Sequence, residues 1–155
     1  MVGYFDYDFT GCVDSRKSTS GYIFLLAGGA VSWRSSKQTI IATTMEAKFI
    51  ACYEPTTQAL WLKNFVGGLK IVDSIERPIK IFCDNHAAIF FSKNNKSGSR
   101  SKYIDIKYLH VRDNIKRHEV FIEHISTKLM IADLMTKGLP VKLFKSHVEH
   151  MGLID

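Results

Sequence analysis

Hydrophobic and polar positions alternate weakly at the start of the chain, with the period of two that puts successive side chains on opposite faces of a strand. Val2 to Phe9 carries this pattern and ends at Thr10-Gly11. A polar turn rich in Ser and Thr, Asp14 to Ser20, separates it from an apolar run, Tyr22 to Ala27. Gly28-Gly29 breaks that run, and a third short strand continues through Val31 and Trp33. Three strands joined by tight, glycine-marked turns predict an antiparallel meander.

The spacing then becomes helical. Thr43-Thr44 offers a cap ahead of Met45 and Glu46, and Phe49, Cys52, Leu60, Leu62, Phe65 and Val66 carry an apolar stripe to about Leu69. Gly67-Gly68 is the expected stop. Pro55 predicts a kink or a local break, because a proline inside a helix costs roughly 3 kcal/mol. Next, Pro78 precedes a β-branched run, Ile79 to Cys83, closed by Asp84-Asn85. A short helix is expected from His86 to about Lys93, a polar loop at Asn94 to Ser99, and a helix from about Lys102 to Lys116. Val120 to Ile125 alternates as a last strand. A helical region, 131–153, is interrupted at Gly138-Leu139-Pro140. The order is β-β-β-α-β-α-α-β-α, with no repeat or low-complexity linker, so one domain spanning 1–155 is expected.

Composition narrows the class. A chain of 155 residues can bury a real core, and 46% hydrophobic with 23% charged residues is the balance of an ordinary soluble protein. Gly21 to Trp33, the longest weakly polar run, is too short to span a bilayer, so no membrane association is expected. The chain does not open on a basic-then-apolar signal segment. Cys12, Cys52 and Cys83 are odd in number and lack a CxxC pair, which argues for a reducing, intracellular compartment. Cys52 and Cys83 read as small core residues.

The net charge of +6 is concentrated in one place. Between residues 93 and 117 stand Lys93, Lys96, Arg100, Lys102, Lys107, Arg112, Lys116 and Arg117, opposed only by Asp105 and Asp113. That segment holds the whole excess, since the remaining 13 basic and 13 acidic residues cancel. Tyr103 and Tyr108 are interleaved with it, a composition suited to a phosphate backbone and equally to a solvated basic helix.

Three aspartates stand where an α/β sheet gathers ligands: Asp6 on the first strand, Asp84 at a strand's carboxyl end, and Asp133 at the start of the last helical region. Converging carboxylates repel one another unless cations neutralise them, and hard oxygen donors select Mg²⁺ or Mn²⁺. Spacing alone favours the plainer reading, in which scattered aspartates are caps and turn residues.

A set of words in the sequence changes that weighting. They are Gly3-Tyr-Phe-Asp-Tyr-Asp8, Arg16-Lys-Ser-Thr-Ser-Gly-Tyr22, Ser32-Trp33 with Ser36-Lys-Gln38, Thr43-Thr-Met-Glu-Ala47, Ala59-Leu-Trp-Leu62, Cys83-Asp-Asn85, Ser101 to Tyr108, and Ala132-Asp-Leu-Met-Thr-Lys137. Collinear over essentially the whole chain, they resemble the RNase H domain of copia-type LTR retrotransposon Pol polyproteins. The resemblance implies an α/β RNase H-like fold: a mixed five-stranded sheet, meander first, the Ile79–Cys83 strand beside the first strand, and helices on its faces. It implies a segment downstream of a reverse transcriptase, located in the cytoplasm in a retroelement particle or in the nucleus. It further implies magnesium- or manganese-dependent hydrolysis of RNA in an RNA–DNA hybrid, leaving a 3′-hydroxyl and a 5′-phosphate. Asp6 and Asp84 would then bind two ions, with Asp133 holding one at the rim. Lys93, Arg100, Lys102, Lys107 and Arg112 would grip the hybrid's backbone.

The sequence departs from the family's pattern at one chemical position. The second glutamate of an E-A-E-aromatic word should be a fourth ligand, but the word here reads Glu46-Ala47-Lys48-Phe49. Lysine for glutamate changes the local charge by two units where cations should bind. Glu46 substitutes only if the register is two positions off, since two residues turn a helix by about 200°. Pro55, Tyr103 and Phe9 are further departures, the last two replacing the family's usual histidine and tryptophan. The expectation is therefore an impaired nuclease or, alternatively, a catalytically inactive nucleic-acid-binding relic. The remaining features read as structure: His147 and His150 as surface histidines, Asn85 as a helix cap, Ser18-Thr19-Ser20 as a turn, and Trp33, Trp61, Phe24, Phe49 and Phe65 as core.

Overall fold

The computed structural model describes residues 1–8, 18–38, 44–70, 75, 78–93 and 102–153. Its five strands are β1 (Val2–Asp8), β2 (Ser18–Leu26), β3 (Gly29–Gln38), β4 (Ile79–Cys83) and β5 (Val120–His124). Its helices are α1 (Thr44–Leu69), α2 (His86–Lys93), α3 (Lys102–Lys116) and α4 (Val141–His150), with 3-10 helices at Thr127–Leu129 and Ile131–Met135. The sheet order is β3-β2-β1-β4-β5. β1, β2 and β3 form the expected antiparallel meander, while β4 runs parallel to both β1 and β5.

Period-two alternation distributes the strand side chains between two cores. Phe5, Ile79, Ile81, Val120 and Ile122 face one side, where Cys52, Leu62, Tyr108 and Val111 of α1 and α3 cover them. Each such aliphatic or aromatic group removed from water contributes roughly 1.5–3 kcal/mol. Ile23, Leu25, Val2 and Tyr4 face the other side and meet Ile131, Leu134, Met135 and Met151. The second layer is tied to β3 at two points: Ser35 Oγ donates to the Met135 carbonyl at 2.6 Å, and the Ala30 amide donates to the Met151 carbonyl at 2.9 Å.

Several local expectations are corrected. Ser18-Thr19-Ser20 is strand rather than turn, because pairing with Gln38, Lys37 and Ser36 satisfies its backbone. The hairpin turn is Ala27-Gly28, both at positive φ (52° and 82°), with Gly29 already in β3. α1 continues through Pro55 without a break. Proline removes one amide donor there, while the hydroxyls of Thr56 and Thr57 donate to the carbonyls of Cys52 and Tyr53. Gly67-Gly68 lies inside the helix, which ends at Leu69, the next residue, with Lys70 in the left-handed region. Trp33, Trp61 and Phe65 are exposed rather than core, the last two stacked with ring centroids 4.9 Å apart. Phe24, Cys52 and Cys83 are buried as expected. His147 is buried in α4, and desolvation followed by the nearby His150 pushes its pKa below the usual 6.5.

Gly21 of β2 lies opposite Asp6 of β1 and directly beneath the Ile131–Met135 helix. A methyl group there would collide with the Met135 Cβ and crowd the Thr136 methyl. Gly21→Ala is expected to destabilise the protein by about 1–3 kcal/mol, the usual penalty for overpacking. Urea denaturation checks this, and a variant as stable as the parent would contradict the tight seating of that helix on β2.

Candidate metal centre

β1 and β4 are parallel, so both end at the same edge of the sheet. Their register pairs Gly3 with Ile81 and Tyr4 with Phe82, and continuing it by two residues sets Asp6 beside Asp84. Even-numbered positions share a face here, as the Tyr4 and Phe82 rings show at 5.4 Å. Asp6 and Asp84 therefore emerge on that same face, the one covered by the Ile131–Met135 helix. That helix brings Asp133 in its first turn. One carboxylate oxygen from each of Asp6, Asp84 and Asp133 lies within 4.8 Å of the others.

Asp6 and Asp133 are both 3% exposed, whereas Asp84 is half-buried. The rim residue is thus Asp84, not Asp133 as the sequence reading expected, because Met130, Ile131 and Ala132 sink that helix into the second core. Asp84 accepts a hydrogen bond from the Thr127 hydroxyl at 3.1 Å. Its neighbour Asn85 caps α2, its Oδ1 accepting from the amides of Ala87 and Ala88 at 3.0 and 3.2 Å.

Two further residues belong to the cluster. The Asp133 carbonyl accepts from the amides of Thr136 and Lys137, a turn that curls both side chains back over the carboxylates. The Thr136 hydroxyl donates to Asp6. The Lys137 ammonium lies 3.1 Å from Asp6 and 3.0 Å from Asp133. Burial acts to lower the Lys137 pKa, but the two carboxylates more than offset this and hold it above its ordinary value. Burial, with repulsion from Asp6 and Asp84, pushes Asp133 up to about 6 despite the lysine. Thr136 and Lys137 both fall in the word Ala132 to Lys137, so a signal existed, but nothing in it specified that they fold back on Asp6.

The proposed backbone-gripping residues are placed elsewhere. Lys107 and Arg112 lie on α3, in the layer of α1 and on the opposite side of the sheet from the Ile131–Met135 helix. Lys107 sits over the Tyr53 ring at 5.2 Å, Arg112 over Tyr108 at 5.4 Å, and Lys93 over Phe121 at 4.7 Å. Arg100 and the side chains of Lys102 and Lys48 lie outside the described residues. At the carboxyl ends of β4 and β5, the rings of His86 and His124 stack 3.8 Å apart, a pairing that sequence separation conceals.

No family model matches the chain. It is 36% identical over 154 residues to the retrovirus-related Pol polyprotein from transposon TNT 1-94 of Nicotiana tabacum, covering 99% of this chain and 11% of that one. It is 30% identical over 154 residues to the corresponding polyprotein from transposon RE1 of Arabidopsis thaliana, covering 99% of this chain and 10% of that one. Among solved structures, LC11-RNase H1 in complex with an RNA/DNA hybrid superposes with a TM-score of 0.58 at 16% identity, covering 87% of this chain and 92% of that one. The relatives are retrotransposon Pol polyproteins, and the fold is that of RNase H. This RNase H-like domain spans about a tenth of the length of the curated relatives it matches. Among its described residues, no helix is long and apolar enough to cross a membrane.

The electrostatics of the domain's carboxylate cluster have a measurable sign. An acid whose pKa is higher in the fold than in the unfolded chain binds its proton more tightly when folded. Ionising Asp133 therefore costs stability above pH 6, and the cost fades as the pH falls through about 6 towards 3.8. Asp133→Asn is expected to raise the melting temperature of the metal-free chain at about pH 8, with the gain vanishing near pH 4. Thermal melts in a chelating buffer check this, and a gain independent of pH would contradict it.

Proposed function

We propose that the chain is the ribonuclease H of a retrotransposon Pol polyprotein, which hydrolyses the RNA strand of an RNA–DNA hybrid using Mg²⁺ or Mn²⁺. The observation that carries this reading is the convergence of Asp6, Asp84 and Asp133 from three separate elements. Among the described side chains, three carboxylates against the ammonium of Lys137 leave two formal negative charges in this corner. Hard oxygen donors with that charge deficit fit a divalent ion. Bound there as a pair, such ions supply an activated water and neutralise the developing charge on the leaving oxygen.

The chain's own part is positioning. Asp6 and Asp133 are buried and contacted by Thr136 and Lys137, while Asp84 is the more exposed of the three and would be the first to meet an entering strand. In the reaction the water oxygen bonds to phosphorus as the bond to the 3′ oxygen breaks. That oxygen takes up a proton, so the products are a 5′-phosphate and a 3′-hydroxyl. An RNA/DNA hybrid is the ligand of the fold neighbour LC11-RNase H1, which supports the substrate class. Residues 1–155 would form one domain beside the polyprotein's reverse transcriptase, working inside the cell in a retroelement particle. Lys93, Arg100, Lys102, Lys107 and Arg112 are assigned to the hybrid's phosphates, where contacts position a duplex by shape rather than sequence.

Lys48, in the first turns of α1, stands where a fourth carboxylate is expected, and we assign the domain impaired activity on that account. The same substitution favours the second reading, a hybrid-binding module without catalysis. A cleavage assay on labelled hybrid with Mg²⁺ or Mn²⁺ separates the readings. Lys48→Glu is expected to raise the rate at least about tenfold, and Asp6→Asn in that background to lower it more than about a hundredfold. Equal rates for the unmodified chain and Lys48→Glu would remove the impairment. Full activity in Asp6→Asn would overturn the site, and salt-sensitive binding without cleavage by either form would establish the second reading.

A further inference from the structure

Lys137 is out of place in a site that collects cations. Its ammonium bridges Asp6 and Asp133 at 3.1 and 3.0 Å, two carboxylates otherwise almost sealed from water. Its own side chain is 31% exposed against 4–5% for theirs, so it reaches in from the solvent side. The turn at Asp133, whose carbonyl accepts both the Thr136 and Lys137 amides, aims it there. The arrangement answers a physical difficulty. Buried carboxylates brought together repel strongly, and without a counter-charge they would protonate or separate.

Resting on the reading of this cluster as a divalent-ion site, we infer that Lys137 is a built-in counter-cation that competes with metal for the space between Asp6 and Asp133. In the metal-free chain it closes the gap and holds the carboxylates in position. A divalent ion and the ammonium cannot share that gap, since like charges at contact distance repel, so metal entry displaces the lysine towards solvent. Lys137 is thus a positioning residue that lowers metal affinity in exchange for a preassembled site.

Mn²⁺ binding to the whole chain, followed by electron paramagnetic resonance, tests this without reference to activity. Lys137→Gln raises the cluster's formal charge from two negative to three, so Mn²⁺ should bind about tenfold more tightly. The metal-free variant should melt lower than the parent. Lys137→Arg keeps the charge and should bind no more tightly than the parent. A residue with a merely structural role would weaken binding when removed, so lower or unchanged affinity in folded Lys137→Gln overturns the inference. Should that variant not fold, the parent chain gives a second readout. Acylation of Lys137, followed by mass spectrometry, should accelerate at least about threefold when Mg²⁺ saturates the site, because the amine is then freed. An unchanged or slower rate overturns the inference. Equal Mn²⁺ affinity in both forms removes only the role of Lys137, whereas no binding by either form removes the metal site as well.

Discussion

Mutual repulsion among three carboxylates is the constraint around which this fold is organised. Asp6 in β1, Asp84 just past the end of β4 and Asp133 in a 3-10 helix are far apart in sequence, and hydrophobic packing on both faces of the sheet forces them into one corner. In that corner Lys137 offsets part of the repulsion by bridging Asp6 and Asp133. Burial of Phe5, Ile81 and Ile122 on one side and of Ile131 and Met151 on the other supplies the opposing free energy. Burial first, and repulsion from Asp6 and Asp84 after it, keep the Asp133 pKa raised despite its contact with Lys137.

The parallel pairing of β1 with β4 gives this constraint its geometry. Parallel strands end at the same edge, so residues placed two positions beyond matched partners emerge side by side and on the same face. An antiparallel pair would have carried Asp84 to the other end of the sheet. Gly21 does the complementary work on β2, where the missing side chain lets Met135 settle against the strand opposite Asp6. A carboxylate cluster and a glycine with no chemistry of its own are thereby parts of one device.

The basic segment is organised on a different principle. α3 is anchored by Tyr108 and Val111 in the core shared with α1, and its cations lean on aromatic rings, Lys107 on Tyr53 of α1 and Arg112 on Tyr108 of α3 itself. Lys107 and Arg112 are therefore partly pre-ordered rather than freely waving.

Local sequence determined whatever local physics controls. The β1–β3 meander followed from period-two alternation and small turn residues, the caps at Asn85 and the strand at Ile79–Cys83 from residue type, and the order of elements from their succession. The resemblance in its collinear words pointed to Asp6, Asp84 and Asp133. Tertiary structure decided the rest. Ser18–Ser20 became strand because a partner, Gln38 to Ser36, satisfied its backbone, and α1 crossed Pro55 without a break, its buried face packed into the core shared with α3. Trp61 and Phe65 fell on the solvent face of α1, and Asp133 sank while Asp84 stayed at the rim. The position of Lys137 between two aspartates, 131 residues apart in one case, is the clearest instance: charge and burial there depend on which elements the sheet brings together, a sum over distant neighbours that no stretch of sequence contains.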